Sequence, residues 1–85
     1  MKFLARIYIT PKEGVNNPEG LAIKGGLETL GYTGVEKVNS GKYIEIELNG
    51  DLTESQSRDQ IEEMCKRLLA NIVIEQYRFE LELID

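Results

Sequence analysis

GKYIEIEL, residues Gly41–Leu48, alternates without a break: Ile44, Ile46 and Leu48 fall on one side, Tyr43, Glu45 and Glu47 on the other. A period of two over that length marks a half-buried strand, and the stretch is expected to lie centrally in a sheet covered on one face. Asn39-Ser40-Gly41 before it is turn chemistry, so the short Val35–Val38 segment is expected to fold back against it as a hairpin. The rest of the chain reads as the elements needed to cover the apolar side of this strand.

Upstream, Lys2–Thr10 alternates in the same way, with Phe3, Ala5, Ile7 and Ile9 opposed to Leu4, Arg6, Tyr8 and Thr10. Pro11 removes a backbone donor and Gly14 permits an unusual φ, which predicts a loop over Pro11–Asn17. Asn17-Pro18-Glu19 then supplies a cap, a first-turn proline and a charge suited to the positive end of a helix dipole. The helix should run over Pro18–Leu30, with Ile23, Leu27 and Leu30 along one face and Gly31 as its left-handed stop. Its weak point is Gly25-Gly26, since a glycine inside a helix costs ~0.8–1 kcal/mol relative to alanine. Tight packing of helix on sheet is the expected reason for the pair.

Thr53-Glu54-Ser55-Gln56 matches a capping box. It predicts a second helix whose apolar stripe is Ile61, Met64, Cys65, Leu68 and Leu69. Asn71 is expected to close that helix in the left-handed region. After Ile72-Val73-Ile74, the segment Gln76–Ile84 alternates again, with Tyr77, Phe79, Leu81 and Leu83 opposed to Arg78, Glu80, Glu82 and Ile84. The order β-α-β-β-α-β predicts an α+β, ferredoxin-like two-layer sandwich: a four-stranded antiparallel sheet with two helices on one face. Residues 1–85 read as one domain, able to bury roughly 60–70% of the surface of the unfolded chain.

Composition excludes several functions. A net charge of −5, with no basic run longer than Lys66-Arg67, offers no footprint for nucleic acid or an anionic membrane. No apolar run approaches the ~18–20 residues of a membrane span, and a cytoplasmic protein is expected. One cysteine cannot form an internal disulfide. The absence of histidine removes the usual general base, the commonest metal ligand and every Ser/His or Cys/His pair. Cys65, on the apolar stripe of a helix, reads as a buried inert thiol. Glu45, Glu47, Glu80 and Glu82 converge on one sheet face and could together hold a hard cation, but Arg6 and Arg78 share that face and neutralise them as ordinary pairing. Lys12-Glu13-Gly14 lacks the surroundings of a phosphate loop. No catalytic, cofactor or metal site is expected within this chain.

Several stretches together resemble one family. They are Thr10-Pro11-Lys12-Glu13-Gly14-Val15 with Pro18 and Gly20, Leu30-Gly31-Tyr32-Thr33-Gly34-Val35, and Gly41-Lys42-Tyr43-Ile44-Glu45. Glu63-Met64-Cys65 follows, continuing through Leu68-Leu69-Ala70-Asn71 to Val73-Ile74-Glu75, Tyr77 and Phe79. In combination and order they are similar to PurS, the small subunit of phosphoribosylformylglycinamidine synthase, the amidotransferase of purine biosynthesis.

The resemblance implies a subunit without an active site of its own. It implies a large synthetase partner that binds formylglycinamide ribonucleotide together with ATP and magnesium, and a glutaminase partner that releases ammonia. The small subunit, itself a homodimer or higher, would help assemble the two and support ammonia passage. The residues expected to meet partners are Arg6, Tyr8, Tyr43 and Glu45 on the uncovered sheet face, with Lys12 and Lys42 in loops at the ends of the sheet. Edge-strand pairing into a longer sheet is the expected mode of dimerisation. The alternative from another class is a stand-alone dimeric metabolite-binding regulatory module of the same topology.

Overall fold

The computed structural model describes residues 2–84. Three strands, β1 (Phe3–Pro11), β2 (Lys42–Leu48) and β3 (Glu75–Leu83), form an antiparallel sheet in the order β2-β1-β3. Two helices, α1 (Pro18–Thr29) and α2 (Glu54–Met64), lie between them in sequence, and α2 runs on into a π-helical turn over Cys65–Leu69. The sheet therefore has three strands, not the four of a ferredoxin-like sandwich.

The missing strand is Val35–Val38. Its neighbourhood is committed to the start of α1: the Ser40 carbonyl accepts from the Asn17 amide at 2.9 Å, and the Ser40 hydroxyl donates to Glu19. The Val38 carbonyl sits so close to Gly20 that a Cβ there would collide with it. A segment whose polar groups are turned toward a helix end has no ladder to offer β2. In consequence β2, expected at the centre of the sheet, is an edge strand, and β1 is central.

Register follows from the alternation. Ala5 pairs with Ile46 and Leu81, and Ile7 with Ile44 and Phe79, so all three strands turn their apolar residues to the same face. From β1, Phe3, Ala5, Ile7 and Ile9 are buried there, and α2 closes over them with Ser57, Ile61 and Cys65. The capping box that starts α2 is formed as expected: Thr53 Oγ1 accepts from the Gln56 amide at 3.1 Å, and Gln56 Oε1 accepts from the Thr53 amide at 2.9 Å.

The end of α2 departs from an ideal helix. Ala70 N–H donates to the carbonyl of Cys65, five residues back, at 3.0 Å. The widened turn displaces the apolar stripe, so Cys65 is buried and Leu69 half-buried while Leu68, expected on the stripe, is 83% exposed. Ala70, in extended conformation, ends the turn. Asn71 instead organises the next turn, its carbonyl accepting from Glu75 at 2.7 Å and its side chain from Val73 at 3.1 Å.

The first helix begins and ends as its sequence predicts. Asn17 Oδ1 accepts from the Gly20 amide at 2.6 Å, Pro18 opens the helix, and Gly31 follows with φ of 99°. Its expected packing on the sheet is not found. Beyond its first turn α1 projects away from the sheet, with Ile23 and Leu30 exposed, so only α2 covers the apolar face. Nothing lies within 4 Å of a Cβ built at Gly25 or Gly26, which removes tight helix-on-sheet packing as their reason. The molecule measures 52 × 27 × 15 Å with a radius of gyration of 16.6 Å, whereas a compact chain of this length has about 12 Å.

Candidate interface on the open sheet face

The face of the sheet opposite α2 is built by the other parity of each strand. Antiparallel register sets Tyr8 between Tyr43 and Arg78, and Arg6 between Glu45 and Glu80. Four of the six residues expected to meet partners, Arg6, Tyr8, Tyr43 and Glu45, thus lie side by side. The rings of Tyr8 and Tyr43 are 5.2 Å apart between centroids and tilted by 40°, and the Arg78 guanidinium lies 4.0 Å from the Tyr8 centroid. These contacts make one continuous cation–aromatic ladder across all three strands.

Charge pairing completes the surface. Arg6 contacts Glu82 at 2.6 Å and Arg78 contacts Glu80 at 3.6 Å, while the Tyr8 hydroxyl donates to Glu80 at 3.3 Å. The Glu82 hydrogen bond raises the Arg6 pKa further above its ordinary value. Tyr43 donates to Glu45 at 2.6 Å, and that bond, with some desolvation, pushes its phenol up as well. Both groups therefore keep their neutral-pH charge states. With Glu47, the face carries four carboxylates against the two guanidiniums of Arg6 and Arg78. Among the described residues, no group of three His, Cys, Asp or Glu side chains is placed to hold a metal.

The two lysines stand apart from this ladder. Lys42 is the first residue of β2, on the parity of the covered face, with its ammonium 3.9 Å from Glu75. Lys12 follows β1, its amide donating to the Ile74 carbonyl at 2.9 Å and its carbonyl accepting from Val15. Arg78, Glu80 and Glu82 are integral to the network yet absent from the expected contacts. Their signal was present in the parity of Gln76–Ile84 once that strand is laid antiparallel to β1.

Elsewhere the polar chemistry is structural. Burial pushes the Cys65 thiol up, helped by the Glu62 carboxylate, which makes it a poorer nucleophile. The Tyr77 hydroxyl donates to Glu62 at 3.0 Å, and desolvation together with that bond pushes its pKa up to about 12. What the open face offers is a flat, preorganised surface rich in tyrosine and arginine, the residue types enriched where proteins meet. No helix of the described residues is long and apolar enough to cross a membrane.

Comparison with known sequences and structures fits such a surface to a family. The model of the family described as "PurS: Phosphoribosylformylglycinamidine (FGAM) synthase" matches residues 4–83. The chain belongs to the PurS family. A PurS relative, the phosphoribosylformylglycinamidine synthase subunit PurS of Synechocystis sp., is 45% identical over 80 residues, 94% of this chain and 79% of the relative. A crystal structure of Bacillus subtilis PurS superposes with a TM-score of 0.81 at 37% identity, covering 95% of this chain and 99% of that one. A chain in the structure of PurLQS from Thermotoga maritima superposes with a TM-score of 0.82 at 26% identity, covering 96% and 99%. The three-stranded architecture is thus shared with PurS structures.

Proposed function

We propose that this chain is the non-catalytic assembly subunit of a phosphoribosylformylglycinamidine synthase complex in purine biosynthesis. In this reading it bridges a glutaminase subunit and an ATP-dependent synthetase subunit, acts as a homodimer, and supports ammonia transfer between its partners. ATP and magnesium belong to the large subunit. The observation that carries the proposal is the likeness, over nearly the whole of both chains, to a chain in the structure of PurLQS. The Arg78–Tyr8–Tyr43 ladder supports it, since its rings, half-buried at Tyr8 and exposed at Tyr43, are held in place before any partner arrives and little side-chain entropy is left to lose on binding.

The test is conversion of formylglycinamide ribonucleotide to the amidine by the large and glutaminase subunits, with and without this chain. Glutamine should support the reaction only in its presence, and ammonium should support it either way. Tyr8→Ala with Tyr43→Ala should weaken capture of the complex while the chain stays folded, because both rings lie outside the core. If omitting the chain changes neither reaction, the assembly role fails, and screening the isolated protein for a small-molecule ligand takes its place.

A further inference from the structure

Asparagine followed by glycine is a chemically labile pair in an exposed turn, and the sequence has one, Asn49-Gly50. It stands in the connection from β2 to α2. The last β1–β2 pair joins Phe3 to Leu48, so the Gly50 nitrogen lies beyond the sheet ladder. Asn49 is exposed, Gly50 has a φ of 99°, and a Cβ built at Gly50 would meet nothing within 4 Å. The glycine is uncrowded, and it has no side chain of its own to hinder attack by its nitrogen.

We propose that Asn49 is a site of spontaneous covalent modification, deamidating through a cyclic imide formed with Gly50. The Gly50 backbone nitrogen attacks the Asn49 side-chain carbonyl carbon and gives up its proton. The bond from that carbon to Nδ2 breaks, and ammonia leaves. Water then opens the imide at either of its carbonyls, giving aspartate or isoaspartate with no change of oxidation state. Nucleophile and electrophile belong to adjacent residues, so ring closure is intramolecular and needs no enzyme.

The other four asparagines are placed against this reaction. Asn17 precedes Pro18, whose nitrogen has no proton to give up, and its side-chain amide is engaged by the Gly20 N–H and the Ser40 carbonyl. Asn71 holds the Val73 amide at 3.1 Å and precedes the β-branched Ile72. Asn39 precedes Ser40, which is tied to α1 through its carbonyl and its hydroxyl. Asn16 precedes Asn17, fixed as the cap of α1. Among the five, Asn49 alone is followed by a residue without a side chain. Conversion has a definite place in the fold. By parity Asn49 follows Tyr43, Glu45 and Glu47, so aspartate there extends the row of carboxylates along β2. Isoaspartate instead lengthens the main chain by one carbon ahead of the Thr53 cap.

Ageing the folded protein at mildly alkaline pH tests this, read by peptide mapping with mass spectrometry and by methylation with an isoaspartyl methyltransferase. Asn49 should convert roughly tenfold or more faster than any other asparagine, a difference of about 1.4 kcal/mol in barrier. Each event should make the chain one unit more negative than its −5, resolved by ion exchange, and the isoaspartate fraction at position 49 should accept a methyl group. Asn49→Gln, which would have to close a larger ring, should stay unconverted at that position, and circular dichroism should report it folded because the side chain is exposed. Aged protein with Asn49 intact would overturn the proposal. So would conversion led by Asn16 or Asn39, or conversion of Asn49 in urea but not in the folded chain, since the turn would then protect it. Equal acidification of wild type and Asn49→Gln would overturn it as well, because the new charge would then arise elsewhere.

Discussion

Replacing Ser57 by alanine should stabilise the protein. Ser57 stands one helical turn before Ile61 and two before Cys65, is fully buried between α2 and the sheet, and its hydroxyl has no hydrogen-bond partner. A buried polar group left unpaired costs about 1–3 kcal/mol in desolvation. Alanine removes that cost, has the higher helix propensity by a few tenths of a kcal/mol, and deletes one atom, so the cavity left behind is small. The net expectation is a gain of about 1–2 kcal/mol. Unfolding entropy for 85 residues is about 0.18 kcal/mol per kelvin, which turns the gain into a rise of roughly 5–10 °C in Tm.

Thermal melts followed by far-ultraviolet circular dichroism, at one fixed protein concentration because any self-association would make Tm concentration-dependent, read the effect directly. Ser57→Val provides the contrast. It also removes the hydroxyl, but adds branched bulk to a fully occluded site and should lose about 1–3 kcal/mol by overpacking. A fall in Tm for Ser57→Ala would refute the reasoning and mean that the hydroxyl has a partner in solution. A gain for Ser57→Val would mean that the helix–sheet junction is loose there.

Two further perturbations have definite signs. Tyr77, with its pKa pushed up from 10.0 to about 12, binds its proton more tightly folded than unfolded. Its contribution is therefore complete below about pH 10 and is lost as pH climbs through 12; Tyr77→Phe should flatten that alkaline limb in a series of denaturant melts. Thr53→Ala removes the acceptor for the Gln56 amide at the start of α2 and should cost about 1 kcal/mol, seen as a drop of roughly 4–8 °C in Tm, while Thr53→Ser should retain most of the stability.

What the sequence disclosed and what it withheld divide along a physical line. Local chemistry was legible: the Asn17 cap, the Gly31 stop, the Thr53–Gln56 box and the parity of all three strands require only neighbours within a few residues, and each is found as read. Parity also placed Arg6, Tyr8, Tyr43 and Glu45 together, because an antiparallel register converts alternation into adjacency. Lys42 was misplaced for a related reason: treated as loop, it was excused from the alternation that sends it to the covered face. Leu68 was lost to the π-helical turn, since one extra residue in a turn rotates everything after it and leaves no mark in a period of 3.6.

The larger error has a different origin. A four-stranded sandwich gives Val35–Val38 and the α1 stripe partners within the chain, because it satisfies every apolar surface of a chain with that same chain. Apolar periodicity reports that a face is to be buried; it carries no information about which molecule buries it. Ile23, Leu27 and Leu30 share one face of α1 by their spacing, yet Ile23 and Leu30 are exposed, and the groove beside Ile46 and Met64 lies open. In the folded chain the two do not meet. Nothing in the spacing of Ile23, Leu27 and Leu30 distinguishes a helix that seats on its own sheet from one that, like α1, is held at its first turn by Asn17 and Gly20 and projects from the sheet beyond it.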